Sequence, residues 1–145
     1  MSEPSNASRT VDAEGAPAPV GAYPHARQVG NLLFLSGMGP RQPGTDAIPG
    51  GPIRDPDGAS RDYDVAAQTR ATIANLEAVL AASGASLANL VDVTVFLVDM
   101  DRDFQTFNGV YAELIGPHRP TRTTVAVRAL PTPIAVELKA IAWLP

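Results

Sequence analysis

The sequence has no cysteine, one tryptophan and two histidines among its 145 residues. Without cysteine there is neither a disulfide framework nor a thiolate metal site, and the two histidines stand at no short ligand spacing with Asp or Glu. No metal and no cofactor is expected. No apolar run is long enough to cross a bilayer, and the first residues show neither the basic segment nor the apolar stretch of a secretory leader. A cytoplasmic protein without a membrane partner is the expectation. Basic clusters are missing as well. A formal net charge of −4 leaves no footprint for nucleic acid, yet allows a small anion in a local pocket. The glycines also lack the flanking strand and helix of a phosphate-cradling loop.

What is present is enough to build a core. The chain is 45% hydrophobic and 18% charged, a balance that fits one folded domain. Residues 1–20 are rich in Ser, Ala, Pro and Gly without periodicity, so a flexible tail is expected there and a domain over 21–145. Two short extended runs, 27–29 and 32–36, flank the turn signal Gly30-Asn31. Proline and glycine crowd the stretch from Gly39 to Asp62, predicting a long loop with a brief strand near Ile53, of a length that often serves a site.

Val65, Thr69, Ile73, Leu76 and Leu80 recur at helical spacing, with Asp62 or Asp64 to cap the start and Gly84 to end it. A strand follows over 90–98, apolar on both faces. A second helix is predicted over 103–115, capped by Asp101 or Asp103, with Phe104, Phe107, Tyr111 and Leu114 as its stripe and Gly116-Pro117 as its stop. Strands over 121–128 and 135–143 follow, joined through Pro131-Thr132-Pro133. The order β-β-α-β-α-β-β describes an α+β domain: a mixed sheet with two helices packed on one face. Its other face needs a partner, and self-association is the economical one, with clefts at the sheet edges.

The segment Pro120-Thr121-Arg122-Thr123-Thr124-Val125-Ala126-Val127 plants a guanidinium at the mouth of a β-branched strand. A planar fork of N–H donors suits a carboxylate, which makes Arg122 a candidate substrate anchor; a structural ion pair is the ordinary alternative. Alternation groups Arg122, Thr124, Ala126 and Arg128 on one face and Thr123, Val125 and Val127 on the other. The second, more apolar set is expected against the helices, leaving Arg122 toward a neighbouring subunit.

Several segments together resemble the RidA/YjgF enamine/imine deaminases over residues 21–143. They are Gly21-Ala22-Tyr23, the run from Gly30 to Gly37, Gln68-Thr69, Asn75-Leu76, Phe107-Asn108 with Tyr111, Pro120-Thr121-Arg122, Val136-Glu137-Leu138 and Ala140-Ile141-Ala142. Within that family the chain looks most like 2-aminomuconate deaminase, through Tyr23-Pro24-His25, Arg41-Gln42-Pro43, the extended loop and the segment 120–127. The resemblance implies a homotrimer of chorismate-mutase-like fold with sites between subunits. It makes Arg122 the carboxylate clamp and places Tyr23, Ser36 and Asn108 in the pocket lining. Family members usually carry a glutamate just before the last Ala-Ile-Ala, where this chain has Lys139.

Glu137, two residues earlier on the same face, either pairs with Lys139 or takes over the missing role; His25 and a backbone carbonyl are the other candidates to handle water. The implied reaction is hydrolysis of a 2-amino-2-enoate through its imine to a 2-oxo acid and ammonia, with 2-aminomuconate the leading substrate. The far carboxylate of such a substrate needs a second cation among Arg27, Arg41, Arg128 and Lys139, and Lys139 is the favoured one. A broad 2-iminoacid deaminase and a non-catalytic binder of small carboxylates are the alternatives.

Overall fold

The computed structural model describes residues 8–145. Six strands form one sheet in the order β1-β2-β3-β6-β4-β5. They are β1 (Ser8–Val11), β2 (Ala26–Val29), β3 (Leu32–Met38), β4 (Leu90–Leu97), β5 (Thr121–Ala126) and β6 (Val136–Trp143). Two helices, α1 (Val65–Ala82) and α2 (Met100–Leu114), pack on one face. Every strand pair is antiparallel except β4 with β5, which α2 joins as a parallel crossover. The last two strands therefore never pair with each other. β6 runs down the middle of the sheet, and β5 is its edge.

Alternation fixes which side chains meet the helices. Leu33, Leu35, Val93, Val95, Leu97, Val136 and Leu138 are fully buried against Ile73, Leu76, Leu80 and Phe107. Each such aliphatic side chain contributes about 1.5–3 kcal/mol on leaving water. The opposite face keeps Leu32, Phe34, Val125 and Trp143 exposed, with Trp143 at 50%, an apolar surface of the kind that marks an interaction site.

Several ends differ from expectation. Residues 8–20 are not a tail: β1 pairs with β2, and Val11, Ala13 and Ala16 are buried. Four residues with one large apolar side chain show no readable period, so the strand left no signal. The expectation for residues 1–7 lies outside the described residues. The first helix is capped by Asp64, whose carboxylate accepts from the Ala67 N–H at 3.1 Å. The second begins earlier than predicted, at Met100, because Asp99 rather than Asp101 or Asp103 caps it through the Arg102 N–H. The brief strand near Ile53 is a single bridge between Arg54 and Ser60.

The long loop is pinned to α1 by buried amides. Asn75 Nδ2 donates to the carbonyls of Gly39 and Arg41, and Gln68 Nε2 donates to that of Gly51. Gln68 Oε1 also accepts from the Ala135 N–H at 2.8 Å, which ties the start of β6 to the same helix. At the loop's far end the Tyr63 hydroxyl donates to the buried Asp103 carboxylate of α2 at 2.5 Å.

Candidate active site

Two separate hollows hold most of the polar residues singled out in the sequence, while Lys139 and Asn108 line neither. The first, a cavity of about 140 Å³, lies where the N-terminal segment crosses the end of the sheet. Tyr23, His25, Ser36, Arg41 and Glu137 line it, together with Pro17, Gly37 and Ile134. A β-bulge shapes its floor: Leu35 pairs with Ala140 and Met38 with Leu138, so Ser36 and Gly37 together oppose Lys139. A Cβ on Gly37 would lie 2.6 Å from Glu137 Oε2, so the missing side chain is what admits that carboxylate. Burial pushes the Glu137 carboxyl above the ordinary carboxylate range.

The bonding of each lining residue limits its chemistry. Ser36 Oγ donates to the Pro24 carbonyl at 2.7 Å and resembles a bulge tie rather than a nucleophile. Tyr23 is half exposed and its hydroxyl accepts from the Val20 N–H. His25 is buried, its Nδ1 accepting from the Ala13 N–H and its Nε2 facing the Pro17 carbonyl, both at 2.8 Å. An amide can only donate, so the tautomer carries its proton on Nε2 and that nitrogen donates to Pro17. Both ring nitrogens are committed to backbone, and the expected proton-handling role for His25 gives way to a structural one. No local pattern signals this, because its partners, Ala13 and Pro17, lie in the segment expected to be a tail.

Lys139 does not line this cavity. Its ammonium donates to the Leu35 carbonyl at 3.2 Å on the open sheet face, and no Glu137–Lys139 ion pair forms. Arg41 is the cation that does line it, held by Asp46 at 2.7 Å and the Ala18 carbonyl.

Arg122 occupies the second hollow, an open cleft of about 450 Å³ lined by Met100, Phe104, Arg122 and Thr124. Here the expected facing is reversed. Arg122 pairs in parallel register with Val93, and Thr124 with Val95, so both share the helix side with those buried valines. Thr123 and Val125 face outward. Because β5 is an edge strand, Arg122 reaches the rim of α2 and needs no core burial. Its guanidinium carbon lies 4.7 Å from the Tyr111 ring centroid, 5.6 Å from Phe107 and 5.9 Å from Phe104. Such cation–π contacts contribute about 0.5–2 kcal/mol each. Among the described residues no carboxylate pairs with Arg122. Asn108 sits half-buried one helical turn beyond Phe104, outside both hollows. Among the described residues nothing lies within 4 Å of where a Cβ on the neighbouring Gly109 would stand.

Glu137 and Arg122 thus lie on opposite faces. Glu137 pairs with Phe96 and Phe96 with Val125, all on the open side, whereas Arg122 is on the helix side. No small ligand can touch both within one chain.

A family model described as endoribonuclease L-PSP matches residues 13–144. The chain belongs to this family, the RidA/YjgF proteins. Within the RidA/YjgF family it is 41% identical over 130 residues to a RutC family protein of Pyrococcus horikoshii, covering 90% of this chain and 93% of that one. It is 34% identical over 138 residues to the 2-iminobutanoate/2-iminopropanoate deaminase of Escherichia coli, covering 93% and 97%. The crystal structure of Escherichia coli TdcF with bound serine superposes with a TM-score of 0.80 at 31% identity, over 94% of this chain and 99% of that one. The RidA/YjgF fold, an α+β domain with a six-stranded mixed sheet and two helices, is the fold described above.

Proposed function

We propose that this protein is a hydrolytic deaminase of 2-imino acids and their 2-amino-2-enoate tautomers, working without a cofactor in clefts shared by neighbouring copies of a homotrimer. The observation that carries the reading is the split site: a guanidinium with no acid partner among the described residues on one sheet face, and a half-buried carboxyl on the other. A second copy, docked through the exposed apolar face, brings the two together.

In that cleft Arg122 clamps the substrate carboxylate and fixes the plane of the C=N bond. Water adds to the imine carbon, the resulting carbinolamine expels ammonia, and the 2-oxo acid remains. Glu137, whose carboxyl burial keeps it easier to protonate than usual, passes the proton between water and the leaving amine. Tyr23 and Ser36 shape the pocket around the substrate's side chain.

Similarity to the Escherichia coli 2-iminobutanoate/2-iminopropanoate deaminase supports the broad substrate class over 2-aminomuconate. The narrower reading keeps one observation in its favour: Arg41, in the Glu137 cavity, is a second cation for a far carboxylate, and it replaces Lys139 in that role. Ribonuclease chemistry, suggested by the family's description, finds less support. The described cavity offers one histidine with both nitrogens engaged, and the chain carries net charge −4.

The test is ammonia release from 2-aminoacrylate or 2-iminobutanoate generated in place by a dehydratase. Acceleration over buffer that collapses in Arg122→Ala supports the proposal. Two bidentate charge-assisted hydrogen bonds lost at about 1.5–3 kcal/mol each put the fall in kcat/KM at two orders of magnitude or more. Equal rates for wild type and Arg122→Ala contradict it.

A further inference from the structure

Among the described residues Arg122 has no counter-carboxylate, and what holds it is aromatic. Tyr111, Phe107 and Phe104, one side of α2, all present ring centroids within 5.9 Å of the guanidinium carbon. Phe107 and Tyr111 are buried and tilted against each other at 5.7 Å, so two of the three rings are fixed by the core itself. The Tyr111 hydroxyl is buried and makes no hydrogen bond among the described residues. The phenol therefore has no polar tie, and its ring is the part that meets the cation.

We propose that this aromatic cage is the positioning device of the carboxylate clamp. A carboxylate partner would fix the guanidinium but occupy its N–H donors and cancel its charge. Rings attract the cation through their negative faces and leave those donors free. The same helix that closes the hydrophobic core thus aims the fork at the cleft; Tyr111 and Phe107 act on the substrate only through Arg122, whereas Phe104 also lines the cleft. The inference rests on the reading of Arg122 as the clamp and adds which residues set its orientation.

The experiment measures binding of 2-oxobutanoate, a stable 2-oxo acid, by calorimetry to the full chain in its native assembly, with Tyr111→Phe, Tyr111→Leu, Phe104→Leu and Arg122→Ala beside wild type. Tyr111→Leu and Phe104→Leu are expected to weaken binding by about threefold to thirtyfold, the span of a desolvated cation–π contact. Tyr111→Phe keeps the ring and is expected to bind like wild type, a rescue that loss of packing volume alone does not predict. Thermal melts confirm that each variant is folded at the assay temperature. Wild-type affinity in Tyr111→Leu and Phe104→Leu, or an equal loss in Tyr111→Phe and Tyr111→Leu, overturns the cage. Unchanged binding in Arg122→Ala would instead overturn the clamp on which it rests.

Discussion

Replacing Gly37 with alanine separates the placement of Glu137 from its presence. Gly37 lies in the β3 bulge but not in the left-handed region, so its backbone accepts an L side chain. The new methyl group would stand 2.6 Å from Glu137 Oε2 and 2.9 Å from Cδ, whereas ordinary contact begins at 3.4 Å. The carboxylate must retreat by about 0.8 Å, or rotate away from the cavity, before the overlap is relieved. Glu137 is only half-buried, so the fold yields at little cost, about 1 kcal/mol, or 2–4 °C in Tm for a chain of this size. Catalysis is less forgiving, since a misplacement of about 1 Å costs on the order of a hundredfold. The expected result is a kcat for 2-iminobutanoate lowered about a hundredfold in a protein that still melts within a few degrees of wild type. Adding Gly37→Ala to Glu137→Gln should then change little, because both act through one carboxyl. A full wild-type kcat in Gly37→Ala would refute the assignment of Glu137 to the chemistry.

Three further outcomes follow from the same geometry. Arg41→Leu should weaken dicarboxylic substrates about tenfold more than monocarboxylic ones, while Lys139→Met should not discriminate between them, as read from kcat/KM for each class. Glu137 has its folded-state pKa raised by burial. Wild type should therefore match Glu137→Gln in acid and lose stability against it as pH rises from the ordinary carboxylate range through the raised one. Urea melts across pH check this, and a constant difference at every pH contradicts it. Tyr63→Phe removes the donor to Asp103 Oδ2, whose side chain is 1% exposed, and should cost about 1–3 kcal/mol in chemical denaturation.

The elements with a clear period were legible in the sequence. Val65 to Leu80 repeats at helical spacing and β4 is apolar throughout, so α1 and β4 emerge within a residue or two of their bounds. β1 was not legible, because Ser8–Val11 holds one large apolar residue and its burial depends on pairing with β2. Alternation sorted Arg122 from Thr123 but carries no sign. Only the parallel register with Val93, set by α2 crossing from β4 to β5, decides which of the two faces the helices. Val125, an apolar residue on the exposed side of an edge strand, misled that choice. Tyr23, Ser36 and Glu137 do share a cavity. His25 belongs to it by position yet spends both nitrogens on Ala13 and Pro17, a bond pattern that depends on where the N-terminal segment lies. Arg41 reached the cavity through the pinned loop, an arrangement set by Asn75 that no local pattern reveals.

The shared cleft can be tested by complementation. Arg122→Ala and Glu137→Gln chains, each inactive alone, are unfolded, mixed in equal amounts and refolded together. If every site takes its guanidinium from one protomer and its carboxyl from another, about one quarter of the sites regain both groups and the mixture recovers about a quarter of wild-type activity. A mixture as inactive as its two components would contradict the account.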